Sequence, residues 1–166
     1  MKTKVLLLAG LLLVLTVTEA HATALRDNLK GLRGFWVLVE MDTPDLERDG
    51  LVNRDLLQTR LELKLRQAGI NIFSALEMSR TPGQPILMLA VAARKSEAVK
   101  GYTVSVLLGM IERVILDRDR NRIIDGMTWK DMSFGIIGVR SVRSIYDLAS
   151  DAADIFINDY LAANPK

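Results

Sequence analysis

SVRSIYDLASDAADIFINDYLAA, residues 141–163, is the stretch whose periodicity decides the fold. Val142, Ile145, Ala149, Ala152, Phe156 and Tyr160 recur at steps of three and four, the repeat of one helix face. The spacing predicts a helix over Ser141–Ala163, entered from a turn at Gly135 and Gly138 and closed by Asn164-Pro165-Lys166. A helix of this length takes most of its stability from packing. Its apolar face therefore needs a cover built upstream, and a β-sheet is the expected one.

The opposite end of the chain sets the compartment. Lys2 and Lys4 precede an apolar run, Val5 to Val17, and Ala20-His21-Ala22 follows as a small-x-small cleavage site. This pattern reads as a secretory signal peptide over residues 1–22, with a single domain over residues 23–166. The run is shorter than the ~20 apolar residues that a spanning helix needs, so no stable membrane insertion is expected after cleavage. The expected location is periplasmic or secreted.

Processing also changes the chemistry that is possible. Two lysines and one glutamate leave with the leader, and the net charge falls from +2 to +1. Bulk charge then gives no reason to expect nucleic-acid binding. The only histidine is His21, and there is no cysteine. A mature chain without either residue is barred from Ser-His-Asp and Cys-His catalysis, and from zinc, haem and iron–sulfur sites built on those ligands. No metal and no cofactor is expected.

Between the two ends the apolar pattern alternates between strand and helix periods. Gly34–Met41 reads as a strand rich in aromatic and β-branched residues. Leu51–Ala68 reads as a helix, with Asn53 as N-cap, Leu57, Leu61, Leu65 and Ala68 on one face, and Gly69 as the left-handed stop. Ile70–Ala75 reads as a short strand, and Pro85–Ala93 as a central strand covered on both faces, because both of its alternating sets are apolar. Tyr102–Asp117 and Arg122–Met132 form a hairpin. A loop centred on Arg118–Asn121 pairs Asp117 with Arg122, Leu116 with Ile123 and Met110 with Trp129. Trp36 and Trp129 are expected in the core. The resulting fold is α+β, a two-layer sandwich with a mostly antiparallel sheet of about five strands and two helices on one face, in the order β-α-β-β-β-β-α.

Gly50-Leu51, the helix LQTRLELKLRQAGI at residues 57–70, Thr128-Trp129, Gly135, Gly138 and the ending FINDYLAANPK at residues 156–166 together resemble a family of small exported bacterial proteins. That family has no assigned activity. The resemblance implies a bacterial envelope or secreted setting and transfers no catalytic residue.

Four places carry a chemical suggestion. Asp117, Asp119 and Asn121 imitate the first half of a calcium loop, but Arg122 stands where glycine is required and Thr128 where the bidentate glutamate belongs, so a charged hairpin turn is expected. Under a uniform hairpin register Glu112 and Asp125 share the side bearing Val114, Leu116, Met127 and Trp129 as diagonal neighbours, a pair suited to acid–base hydrolysis. Gly138, Arg140 and Arg143 at the start of the last helix offer an anion site, since helix N-termini gather unpaired N–H groups. Leu107, Ile111 and Ile115 form an apolar stripe on the sheet side opposite the helices, where a partner protein or a second copy would sit. The reading preferred from sequence is a non-catalytic envelope domain acting through protein contact, with the hydrolase and the anion-binding module as alternatives.

Overall fold

The computed structural model describes residues 25–98 and 100–165, so the signal-peptide reading and its cleavage site lie outside the described residues. The elements are β1 (Trp36–Asp42), α1 (Pro44–Arg48), α2 (Arg54–Gln67), α3 (Ala75–Arg80), β2 (Ile86–Ser96), β3 (Gly101–Leu116), β4 (Asp119–Gly138), a 3-10 turn (Val139–Ser141) and α4 (Ser144–Ala163). The sheet has four strands in the order β1-β2-β3-β4, with β1 parallel to β2 and the other neighbours antiparallel. It is an α+β fold in which α2 packs on β1 and α4, and α4 packs on β3 and β4. No helix among the described residues is long and apolar enough to cross a membrane.

The fifth expected strand is not a strand. Residues Ile70–Ala75 contribute a single parallel bridge, Phe35 to Ile72, before the chain turns into α3. The reason is local: Ser74 accepts from the Glu77 amide while the Glu77 carboxylate accepts from the Ser74 amide, a reciprocal capping box that starts a helix at Ala75. The second strand of the parallel crossover is therefore β2. The element order becomes β-α-α-α-β-β-β-α.

Gly135 and Gly138 do not turn the chain either. β4 continues to Gly138, with Ile136 opposite Thr103 and Ile137 opposite Tyr102, because β-branched residues in this stretch extend the ladder. The change of direction falls on the 3-10 turn, and α4 starts at Ser144. Farther upstream, Asn53 caps α2 by accepting from the Leu56 amide, and Gly69 at φ 78° ends it.

Under α2 and α4 the sheet buries Val37, Val39, Leu87, Leu89, Val91, Val104, Val106, Leu108, Met110 and Trp129. Phe156 of α4 sits between Phe35 and Trp129, with ring centroids 5.3 and 5.0 Å away in edge-on arrangements. The helices are tied to each other by Lys64, whose ammonium donates to Ser150 O at 2.9 Å, Ser150 Oγ at 2.6 Å and Asp154 Oδ2 at 2.6 Å. Arg60 lies over the Tyr146 ring, 4.8 Å from its centroid.

The distinctive C-terminal residues hold the segment that enters β1. The Tyr160 hydroxyl donates to Leu32 O at 2.6 Å, Asn164 Nδ2 donates to Leu29 O at 2.9 Å, and Asn164 Oδ1 accepts from the Gly31 amide at 2.7 Å. Trp129 Nε1 donates to Asp159 Oδ2 at 2.9 Å. Asp159, Tyr160 and Asn164 thus make structural bonds.

Candidate functional site

Because side chains alternate along a strand, the same register that fills the core also defines what lies on the other side of the sheet. There β1 contributes Trp36, Leu38 and Glu40, and β2 contributes Ile86, Met88, Ala90 and Ala92. β3 contributes Thr103, Ser105, Leu107, Gly109, Ile111, Arg113 and Ile115. Their β4 neighbours are Ile136, Phe134, Met132, Lys130, Met127, Asp125 and Ile123. Both packed helices lie on the opposite side, so this face is open.

The open face corrects two expectations. β2 was expected to be covered on both sides; Leu87, Leu89, Val91 and Ala93 are buried beneath the helices, while Ile86, Met88, Ala90 and Ala92 are only half-buried. Trp129 is in the core at 2% exposure, but Trp36 stands half-buried on the open face, because the strand parity that sends Phe35, Val37 and Val39 inward sends Trp36 outward.

Leu107 and Ile111 are half-buried among their strand neighbours, and Ile115 is exposed at the far end of the same row. The larger exposed apolar side chains come from β4: Phe134 at 82%, with Ile136 and Met132 beside it on alternate residues. Their signal in the sequence is the alternation of Met132, Phe134 and Ile136, hidden when the strand is ended at Met132. Beside Phe134 the floor drops to Ala92, Ser105 and Thr103, leaving an apolar trough of about 570 Å³ bounded by Ile136 and Arg94. Arg94 is fixed there by the Asp42 carboxylate and by donating to Asp42 O at 2.7 Å. Hydrogen bonding to Asp42 raises its already high pKa. It stays a cation.

The hairpin register is as expected from Leu107–Met132 through Met110–Trp129, continues unshifted past the expected strand end to Gly101–Gly138, and slips by one at a bulge after Met110–Trp129. Thr128 is the extra residue: Ile111 pairs with Met127, Glu112 with Gly126 and Arg113 with Asp125. Nearer the turn, Ile115 pairs with Ile123 and Leu116 with Asp119, replacing the expected Leu116–Ile123 and Asp117–Arg122 pairs. Side chains beyond a one-residue slip change face. The extra residue is in β4, so Glu112 keeps the helix side with Met110, where its Oε2 accepts from Thr128 Oγ1 at 2.7 Å, while Asp125 is moved to the open face opposite Arg113. The two carboxylates do not share a face.

At the hairpin tip, Asp119 Oδ1 accepts from the Asn121 amide at 3.2 Å, and Asp117 lies 3.7 Å from Arg120. These oxygens serve the turn. At the other candidate, the Ile145 amide donates to Val142 O and the Tyr146 amide to Arg143 O, both at 3.1 Å, and Ser144 Oγ donates to Ser141 O at 2.6 Å. Gly138 ends β4 opposite Gly101, Arg140 lies in the 3-10 turn, and Arg143 is the N-cap residue with no capping bond from its side chain. The second and third amides of α4 are thus already bonded within the preceding turn.

Asp131 stands on the helix side of β4 opposite Leu108, and its Oδ2 is buried with no hydrogen-bond partner among the described residues. Burial pushes its carboxyl above the ordinary range, a bond from the Met132 amide acts the other way, and the nearby Asp159 charge adds to the rise. Comparison of the chain with protein-family models and with curated protein sequences finds no match.

Proposed function

We propose that this protein is an exported, non-catalytic envelope domain of the bacterial type it resembles, and that it works by protein–protein contact through its open sheet face. The observation that carries the reading is the composition of β2. A strand apolar on both alternating sets belongs in the middle of a three-layer arrangement, yet Ile86, Met88, Ala90 and Ala92 face away from both packed helices. Phe134, Ile136 and Met132 extend the same apolar surface to the sheet edge. Contiguous apolar surface of this kind marks contact sites on monomeric folds. The charged leader followed by Ala20-His21-Ala22 supports export.

The test is site-specific photocrosslinking in the native envelope. A photoreactive residue at Phe134 is expected to capture a protein, whereas one at Leu63, exposed on the outer side of α2, is expected to capture none. Equal yields from the two positions, or none from position 134, would remove the reading.

A further inference from the structure

The open face carries a charge asymmetry that selects its occupant. Glu40 is exposed on β1 at one edge of the sheet, and Lys130 is exposed on β4 at the other. Neither has an ion-pair partner among the described residues. Three strand spacings of ~4.8 Å put the two columns roughly 14 Å apart, too far to pair within one chain. Of the other charges near the face, Arg113 and Asp125 stand opposite each other on neighbouring strands, so their opposite signs cancel locally, and Arg94 is bound to Asp42.

We propose that the face is covered by a second copy of this chain, related by a two-fold axis that lies between the two sheets and runs parallel to the strands, between β2 and β3. The proposal rests on the contact reading above and names its partner. Such an axis lays β1 of one copy over β4 of the other at unchanged height along the strands. Successive register pairs run Leu38–Met88–Gly109–Lys130 and Glu40–Ala90–Leu107–Met132, so Lys130 lies one step from the partner's Glu40. Symmetry makes the contact twice. A two-fold axis perpendicular to the strands instead lays β4 on β4 and β1 on β1, setting like charges together.

Shape points the same way. In the chosen arrangement Ala92 of one copy faces Ser105 of the other in the last register row that β1 reaches, leaving a hollow between the inner strands there. Phe134 stands beside that hollow in each copy, next to Ser105, and over the partner's Asp42, so its ring would cover the hollow's edge. Aligned sheet packing of this kind is the ordinary geometry of a β-sandwich. The area is also adequate: β1 to β4, at ~4.8 Å spacing and ~3.3 Å per residue, present roughly 650 Å² in projection. Side-chain relief brings that toward the roughly 800 Å² per partner of a standard interface.

The test is analytical ultracentrifugation of the purified protein over a wide concentration range. The native chain is expected to sediment as a dimer. Lys130→Glu and Glu40→Lys are each expected to weaken it about tenfold, and the double variant to recover to within about threefold of the native constant, as a charge pair made between copies requires. Phe134→Asp is expected to give a folded monomer with the native circular dichroism spectrum, since Phe134 is 82% exposed; its melting temperature should no longer rise with concentration. A native monomer at every concentration overturns the proposal, as does a dimer indifferent to Phe134→Asp. Failure of the double variant to recover overturns the two-fold placement. A monomer that still crosslinks through position 134 to a different protein removes the second copy while leaving the contact reading intact; absence of any crosslink removes both.

Discussion

The Trp129 indole donates to Asp159 Oδ2 at 2.9 Å, joining the edge strand to the last helix at the point where the Trp129 ring meets Phe156 edge-on. A buried donor that loses its acceptor costs more than the bond contributed, because it cannot return to water. Asp159→Ala should destabilise the fold by about 1–3 kcal/mol. Trp129→Phe removes the donor and keeps an aromatic ring, so the pair tested together should fall short of the summed single effects. Urea denaturation of the two singles and the double gives the coupling.

Asp131 predicts the opposite sign. Its carboxyl is raised in the folded state by burial, with the Asp159 charge adding to the effect. A carboxyl raised on folding leaves stability fully present below the unfolded-state value near 3.8, and that stability is lost as pH rises through the folded pKa. Asp131→Asn should therefore be more stable than the native chain at neutral pH, with the difference vanishing in acid. Melting temperatures of both proteins across this range decide it; a variant less stable at neutral pH would show that the charge is answered.

The bulge at Thr128 explains why some of the architecture was legible in sequence and some was not. The helix faces of Leu57, Leu61 and Leu65 and of Ile145, Ala149, Ala152 and Phe156 follow from spacing alone, because a packed helix must repeat. The inner hairpin register follows from matching Met110 to Trp129. No local pattern announces one extra residue in a long strand, yet that residue sends Asp125 to the face opposite Glu112 and dissolves the candidate acid–base pair. The β4 part of the open face was missed for another reason: Gly135 and Gly138 read as turn residues, while the alternation of Met132, Phe134 and Ile136 kept the strand going.

Asn164 and Tyr160 clasp the segment that leads into β1. Asn164 bridges the Gly31 amide and Leu29 O, and Tyr160 donates to Leu32 O. Leu29 itself is fully buried, so the clasp also holds an apolar anchor in place. Asn164→Ala should destabilise by about 1–2 kcal/mol, and Tyr160→Phe by about 1 kcal/mol. Hydrogen exchange should localise the change to residues 28–34, with the sheet interior following only the global loss.

Gly34 sits where no side chain fits. A β-carbon there would lie 2.7 Å from Asn71 O and 2.7 Å from the edge of the Phe73 ring. Neither neighbour is free to withdraw: the Phe35 amide donates to Asn71 O at 3.3 Å, and the Phe73 amide donates to Phe35 O at 2.8 Å. Those two bonds frame the parallel bridge at Ile72, the remnant of the strand expected there. Gly34→Ala must push the crossover off β1 or displace the Phe73 ring, and overpacking of this kind costs roughly 1–3 kcal/mol. The pairing of Phe73→Ala with Gly34→Ala separates the two obstacles. Relief in the double variant would assign the clash to the ring; an undiminished loss in melting temperature would assign it to the Asn71 carbonyl, which truncation of Phe73 leaves in place.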